Sequence, residues 1–411
     1  MAAHPPIDEP AAPDAAAPGD TAAASASLAR PRAGARDPRL DFFRGMALWL
    51  IFIDHVPSSR IADWTLRNFG FSDATEIFVF IAGYSSYLVY SRLLRRSGFG
   101  FMAATVLRRC WQLYIAHVVL CVCFVAQIAY VAAHFDNPMY IEELNVARVI
   151  EHPDVALIDI LLLYLRPVNL DVLPLYAALM LVAPLVIVGL SRWPTATLAA
   201  SAVLYAGAQW QGWAWPVYAD GDGWFFNPVG WQFLYVIGAW CAAAPAGYAA
   251  LVRRRPALVG LAVAYLAFAC WVALSWRYPR LEATVPDWLG VVLYPIDKTN
   301  LDPLRLAHFL AIAYLVRLRV PLDAAFMRHP AWRPMVLCGQ NSLNVFCLGI
   351  YLSFAAHIVL VQYDDGTVAQ MLVVLAGLAA MTLLAALTGW YRGRARAAGD
   401  RPRAAETKNR R

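Results

Sequence analysis

Long apolar runs alternate along the chain with short polar connections, and the runs are too long and uniform for a soluble fold. Ten of them read as membrane-crossing helices, at roughly 40–57, 74–91, 107–133, 171–190, 195–210, 229–249, 256–276, 303–318, 335–359 and 368–390. A hydrocarbon core about 30 Å thick needs about 20 helical residues to span it. The apolar piece at 155–166 is shorter and is expected to lie at the interface or to re-enter. The pattern therefore predicts an all-α fold, a polytopic membrane bundle of about ten transmembrane helices. No short repeat, phosphate-cradling glycine loop, zinc-type histidine spacing or nucleophile elbow interrupts it.

The first apolar run is the most informative. Residues 36–55 read RDPRLDFFRGMALWLIFIDH, with Arg39, Asp41 and Arg44 at the start and Asp54 and His55 at the end. Ten residues separate Arg44 from Asp54, about 15 Å of helix. Ionisable groups at such depth are costly, so an intramembrane Asp-His pair is by default a functional-site hypothesis. Histidine can take and return a proton near neutral pH, which suits a general base that deprotonates a hydroxyl during acyl transfer. The plainer alternative is a structural histidine bonded to a carbonyl near the helix end. Asp54, Asp73 or Glu76 are the carboxylates placed to orient the ring.

Further polar positions fall inside other apolar runs. Glu76 lies one turn into the second run, where it either orients His55 or favours the helix start through the dipole, with Ser72 or Asp73 as cap. Gly83, Ser85 and Ser86 permit close helix contact. Arg108 and Arg109 open the third run and, with Arg44, suit the phosphates of a nucleotide-bearing acyl donor, because arginine binds phosphate bidentately. In DKTNLDPLRLAHFLAIAY, Lys298, Asp302, Arg305 and His308 crowd one helix start. Asp302 before Pro303 is an N-cap, and Arg305 and His308 share a face, reading as an acceptor side or as a second half of a catalytic chamber. Gln340, Asn341, Ser342 and Asn344 either bond neighbouring helices or line a donor tunnel. Residues 210–231 are dense in Trp, Tyr and Phe beside Asp220, Asp222 and Asn227, a composition that fits sugar stacking or an interfacial aromatic belt.

Composition and charge agree with the pattern. Of 411 residues, 60% are apolar and 15% charged, against about 25% charged in soluble domains. The formal net charge of +6 does not imply nucleic acid, because the basic residues follow the connections. Of the 34 Lys and Arg, only Arg60, Arg67, Arg148, Arg166, Arg277, Arg280, Lys298 and Arg305 fall on the outer side when the N-terminus is put inside. By the positive-inside rule both termini are cytoplasmic. Residues 1–35, rich in Ala, Pro, Asp and Ser, are expected to be disordered, 36–390 to form the membrane domain, and 391–411 a basic cytoplasmic tail. No cleavable signal precedes the first run, which is expected to act as its own targeting signal. The seven cysteines lie mostly in apolar runs and behave there as small hydrophobes, and no metal site is expected.

In order along residues 36–360, RDPRLDFFRGMALWLIFIDHVP, SDATEIFVFIAGYSSYLVYSR, RRCWQLYIAHV, NPVGWQFLYVIGAW, KTNLDPLRLAHFLAIAY and GQNSLNVFCLGIY resemble the successive motifs of the OpgC family, a branch related to the acyltransferase-3 membrane proteins. The resemblance implies a ten-helix fold in the bacterial inner membrane. It also implies O-acylation, classically O-succinylation of osmoregulated periplasmic glucans, with cytoplasmic acyl-CoA or succinyl-CoA as donor and no bound cofactor. His55 occupies the place of that wider group's catalytic histidine, and Arg108–Arg109 resembles its inner donor-binding motif. Gln112 to Tyr114 stand where that motif has a further arginine and a proline. Implied partners are the acyl donor, a glycan acceptor, the bilayer and the glycan synthesis machinery. Two other readings share these features: a transporter of a glycan or lipid-linked sugar, and a structural partner of a glycan synthase.

Overall fold

The structure, a computed structural model, describes residues 37–56, 59–214, 224–243, 255–321 and 324–408. The expected disordered segment, together with Asp220 and Asp222 of the aromatic loop, lies outside the described residues. Among those described, the chain is helical and forms no strand. Among the described residues, five helices are long and apolar enough to cross a membrane: Ala74–His134, Val172–Arg192, Pro256–Ser275, Ser342–Gln362 and Thr367–Ala395.

In chain order the helices are α1 (Pro38–Asp54), α2 (Ala74–His134), the short α3 (Met139–Glu143), α4 (Ala147–Glu151) and α5 (Pro153–Leu161), then α6 (Val172–Arg192), α7 (Pro194–Trp210) and α8 (Pro228–Ala243). They continue as α9 (Pro256–Ser275), the short α10 (Pro279–Glu282) and α11 (Asp287–Leu293), α12 (Pro303–Arg319), α13 (Arg333–Gln340), α14 (Ser342–Gln362) and α15 (Thr367–Lys408). The apolar piece at 155–166 contributes the short α5, nine residues and far less than a crossing.

Local sequence sets several boundaries. Asp73 caps α2 by accepting from the Thr75 amide, while the Glu76 carboxylate accepts from the Asp73 amide, a reciprocal capping box. Gly98 takes φ +77°, which only glycine adopts without strain, and there α2 changes direction between its two halves. Asp302 accepts from the Leu304 amide with Pro303 at the first helical position, the cap expected from the sequence. The last helix does not end near 390. It runs on past the apolar part to Lys408.

Glycines set the closest approaches. A Cβ at Gly83 would collide with the Tyr235 carbonyl of α8, and one at Gly238 of α8 with the Phe80 carbonyl of α2. Gly45 and Gly339 do the same for α1 and α13, each meeting a carbonyl of the other helix at Met335 or Asp41. Small residues on both sides let backbones meet, as membrane helices commonly do. Trp231, Tyr235, Phe52, Phe124 and Leu48 are fully buried in the core. Gly339→Leu should therefore force α1 and α13 apart and lower stability by about 1–3 kcal/mol. Thermal unfolding in detergent measures it, and an unchanged midpoint would contradict the packing.

Candidate active site

The capped starts of α2 and α12 meet, and their charges interlock. The Arg305 guanidinium donates to Glu76 Oε1 through Nε at 2.9 Å, with NH2 2.7 Å from the same oxygen. Its NH2 also reaches Asp73 Oδ2 at 3.1 Å, and the Lys298 ammonium lies 2.6 Å from that same Asp73 oxygen. Glu76 is fully buried and Arg305 nearly so. Two carboxylates and two cations thus offset one another where a lone charge would be costly.

Asp73 stands just outside the apolar part of α2. Burial raises its pKa, but the charges of Lys298 and Arg305 outweigh that and hold the carboxyl well below the usual carboxylate range. A depressed folded pKa means the stabilisation is complete above the unfolded value of about 4 and fades only as pH falls through the folded one. Asp73→Asn should therefore lower the unfolding midpoint at pH 7, where the carboxylate is fully ionised, and an unchanged midpoint would contradict it.

Lys298 is the more accessible cation, with about a third of its side chain exposed. Its ammonium lies over the rings of Phe225 and Phe226, 5.9 and 5.5 Å from their centroids. The loop carrying it is pinned from α7 and α8. The Trp231 indole donates to the Lys298 and Thr299 carbonyls at 3.1 Å, Tyr205 Oη donates to the Leu301 carbonyl at 2.7 Å, and Asn227 donates to Asn300 at 2.8 Å. Gly230 lies so near Asn300 that a Cβ would strike its carbonyl. Phe225 and Phe226 of the aromatic loop thus form a wall beside Lys298.

His308 is buried one turn beyond Arg305. Its Nδ1 lies 2.7 Å from Ser72 Oγ and accepts from the Ser72 amide at 3.3 Å. Since an amide can only donate, that Nδ1 is the unprotonated nitrogen. The imidazole fills the space above Gly70, where a Cβ would overlap the ring. Arg305 and His308 do share a face, and both hold the loop that precedes α2.

His55 follows the last turn of α1. Its Nδ1 lies 2.6 Å from the Ile51 carbonyl, and since a carbonyl only accepts, Nδ1 carries the proton and Nε2 the lone pair. The sequence left Asp54, Asp73 and Glu76 open as the group that orients this ring; the hydrogen bond goes to Ile51 instead. Asp54 accepts from the Thr65 hydroxyl, and its carbonyl accepts from Arg67 at 3.1 Å. Glu76 is held by Arg305 and by its own capping bond, because a guanidinium offers both full charge and two N–H groups. Asp54 and His55 still lie within electrostatic range of Lys298, Asp73 and Arg67. His55 also borders a small cavity with Leu48, Phe52, Phe346, Gly349, Ser353 and Met381, with room for about one water.

The expected donor residues are more dispersed. Arg44 is engaged inside the bundle, donating to Ser85 Oγ at 2.6 Å and lying 3.9 Å from Asp41. Arg108 is exposed, and Arg109 donates to Gln112 Oε1 at 3.3 Å. The polar start of α14 ties helices together: Asn341 donates to the Leu337 and Ala385 carbonyls at 3.1 Å and accepts from Arg392 at 3.0 Å. Sequence reasoning missed Thr65, Arg67 and Ser72 as site partners. SDATE carries a capping signature, but nothing local to Thr65 or Arg67 signals their contact with Asp54.

A family model described as OpgC protein matches residues 36–393. No curated protein matches the chain.

Proposed function

This chain belongs to the OpgC family, and from that premise we propose that it is a membrane O-acyltransferase acting on a glycan. It takes the acyl group, succinyl in the simplest case, from a cytoplasmic acyl-CoA and transfers it to a hydroxyl of a periplasmic glucan or related glycan. In this reading the helices make about ten crossings of the bacterial inner membrane, both termini lie in the cytoplasm, and the charge cluster around Asp73 faces the outer side.

The tautomer of His55 supports the reading most. With Nδ1–H committed to Ile51, the Nε2 lone pair is available to accept the proton of an acceptor hydroxyl. The hydroxyl oxygen attacks the thioester carbonyl, the carbon–sulfur bond breaks, and the proton passes from Nε2 to the departing thiolate. Lys298, more exposed than Arg305, is the better cation for the developing oxyanion. Asp73, Glu76 and Arg305 hold Lys298 and the start of α12 in place, with Asp302 as cap. His308 braces the Ser72 loop. The exposed ring of Phe225 offers a stacking face for a sugar. Arg108 and Arg109 receive the donor phosphates, and Arg44 fixes α1 to α2 between the two ends.

The test is acceptor-dependent release of free coenzyme A. Purified protein given acyl-CoA should release thiol when a periplasmic glucan is added, and the glucan should gain the acyl mass. Protein that moves the glycan across a vesicle membrane without releasing thiol would overturn the reading in favour of transport.

A further inference from the structure

An apolar groove of about 390 Å³ runs between α9 and α12, lined by Leu258, Leu261 and Tyr265 on one side and Ala307, Ala311 and Tyr314 on the other. The spacing of 307, 311 and 314 puts those three on one helix face. The α9 helix is apolar all round, and Leu261 and Val263 are mostly exposed. One end of the groove is basic. Arg255, exposed at the start of α9, donates its backbone amide to Tyr314 Oη at 3.5 Å, and half-buried Arg317 lies one turn beyond Tyr314. The other end is closed by Tyr265, whose hydroxyl donates to the Leu304 carbonyl at 2.8 Å and whose ring packs against Phe71 and His308.

We propose that this groove holds one anionic phospholipid, its phosphate between Arg255 and Arg317 and one acyl chain along α9 and α12 as far as Tyr265. Length and charge both select this occupant. Ten residues separate Arg255 from Tyr265, about 15 Å of helix, which matches half of a hydrocarbon core about 30 Å thick. Cations at one end of an apolar slot of one-leaflet depth are complementary to a lipid phosphate above its own chain. A second copy docked symmetrically across the same face in the membrane would bring Arg255 and Arg317 toward their own duplicates, an unfavourable match. The lipid also stiffens the element that carries Arg305 and His308, because its chain end rests on Tyr265. The inference depends on the chain residing in a bilayer and not on the reaction it performs.

Native mass spectrometry of the full chain, released from micelles holding equal phosphatidylglycerol and phosphatidylcholine, tests the proposal. The wild type should retain one phosphatidylglycerol in preference to phosphatidylcholine. Ala311→Phe should fill the groove and remove that adduct. The pair Arg255→Gln and Arg317→Gln, which leaves the apolar walls intact, should abolish the preference, an approximately tenfold loss of phosphatidylglycerol retention. Equal retention of both lipids by the wild type, or an unchanged adduct in the double variant, would overturn the proposal. A dimer that dissociates on Ala311→Phe would overturn it in favour of a second copy.

Discussion

Arg305→Met should be the most destabilising single change at this site, lowering the stability of the detergent-solubilised protein by about 3–5 kcal/mol. The guanidinium is buried and serves two carboxylates, with contacts of 2.7 and 2.9 Å to Glu76 Oε1 and 3.1 Å to Asp73 Oδ2. Methionine keeps much of the length and apolar bulk but leaves Glu76 with the Asp73 amide as its remaining donor. Asp73 retains Lys298, so the penalty falls mainly on Glu76. Adding Glu76→Gln to Arg305→Met should therefore restore part of the loss, since the buried charge that lacks a partner is gone. A double-mutant cycle read by chemical or thermal unfolding isolates that coupling. A single-variant loss below about 1 kcal/mol would mean that the cluster is screened like a surface ion pair.

His55→Ala should reduce acyl transfer by about 10²- to 10⁴-fold, the usual contribution of a positioned acid–base group, with little change in folding. The imidazole makes a hydrogen bond to the carbonyl of its own helix, four residues back, so its removal unties no second helix. It borders a cavity that already has room for about one water, so the variant enlarges an existing space. His308→Ala should differ in its effect on folding. His308 joins α12 to the Ser72 loop and fills the space over Gly70, so its loss should lower the unfolding midpoint as well as the rate.

These two histidines also mark how far the sequence could be read. Apolar runs showed where the chain is helical, since backbone groups in a bilayer must be satisfied within each segment. The expected runs 74–91 and 107–133, however, lie in one helix kinked at Gly98, and the run 335–359 breaks at Asn341. The caps at Asp73 and Asp302 were legible because they are local patterns within four residues. The shared face of Arg305 and His308 followed from helical spacing. Their partners did not, because Glu76, Asp73 and Ser72 lie on another helix start far away in the chain, and no local spacing encodes that meeting. The orientation of His55 was open among three carboxylates, while the structure gives it the Ile51 carbonyl. That bond is the one expected of a plain structural histidine, yet it also fixes the tautomer a general base needs.

Proton transfer by His55 in acyl transfer to a glycan is tested most directly by mass spectrometry of periplasmic and surface glycans from cells carrying the wild type or His55→Ala at equal protein level. An acyl mass should be present on the wild-type glycans and lost with His55→Ala. The same acyl mass at the same abundance in both strains would contradict it.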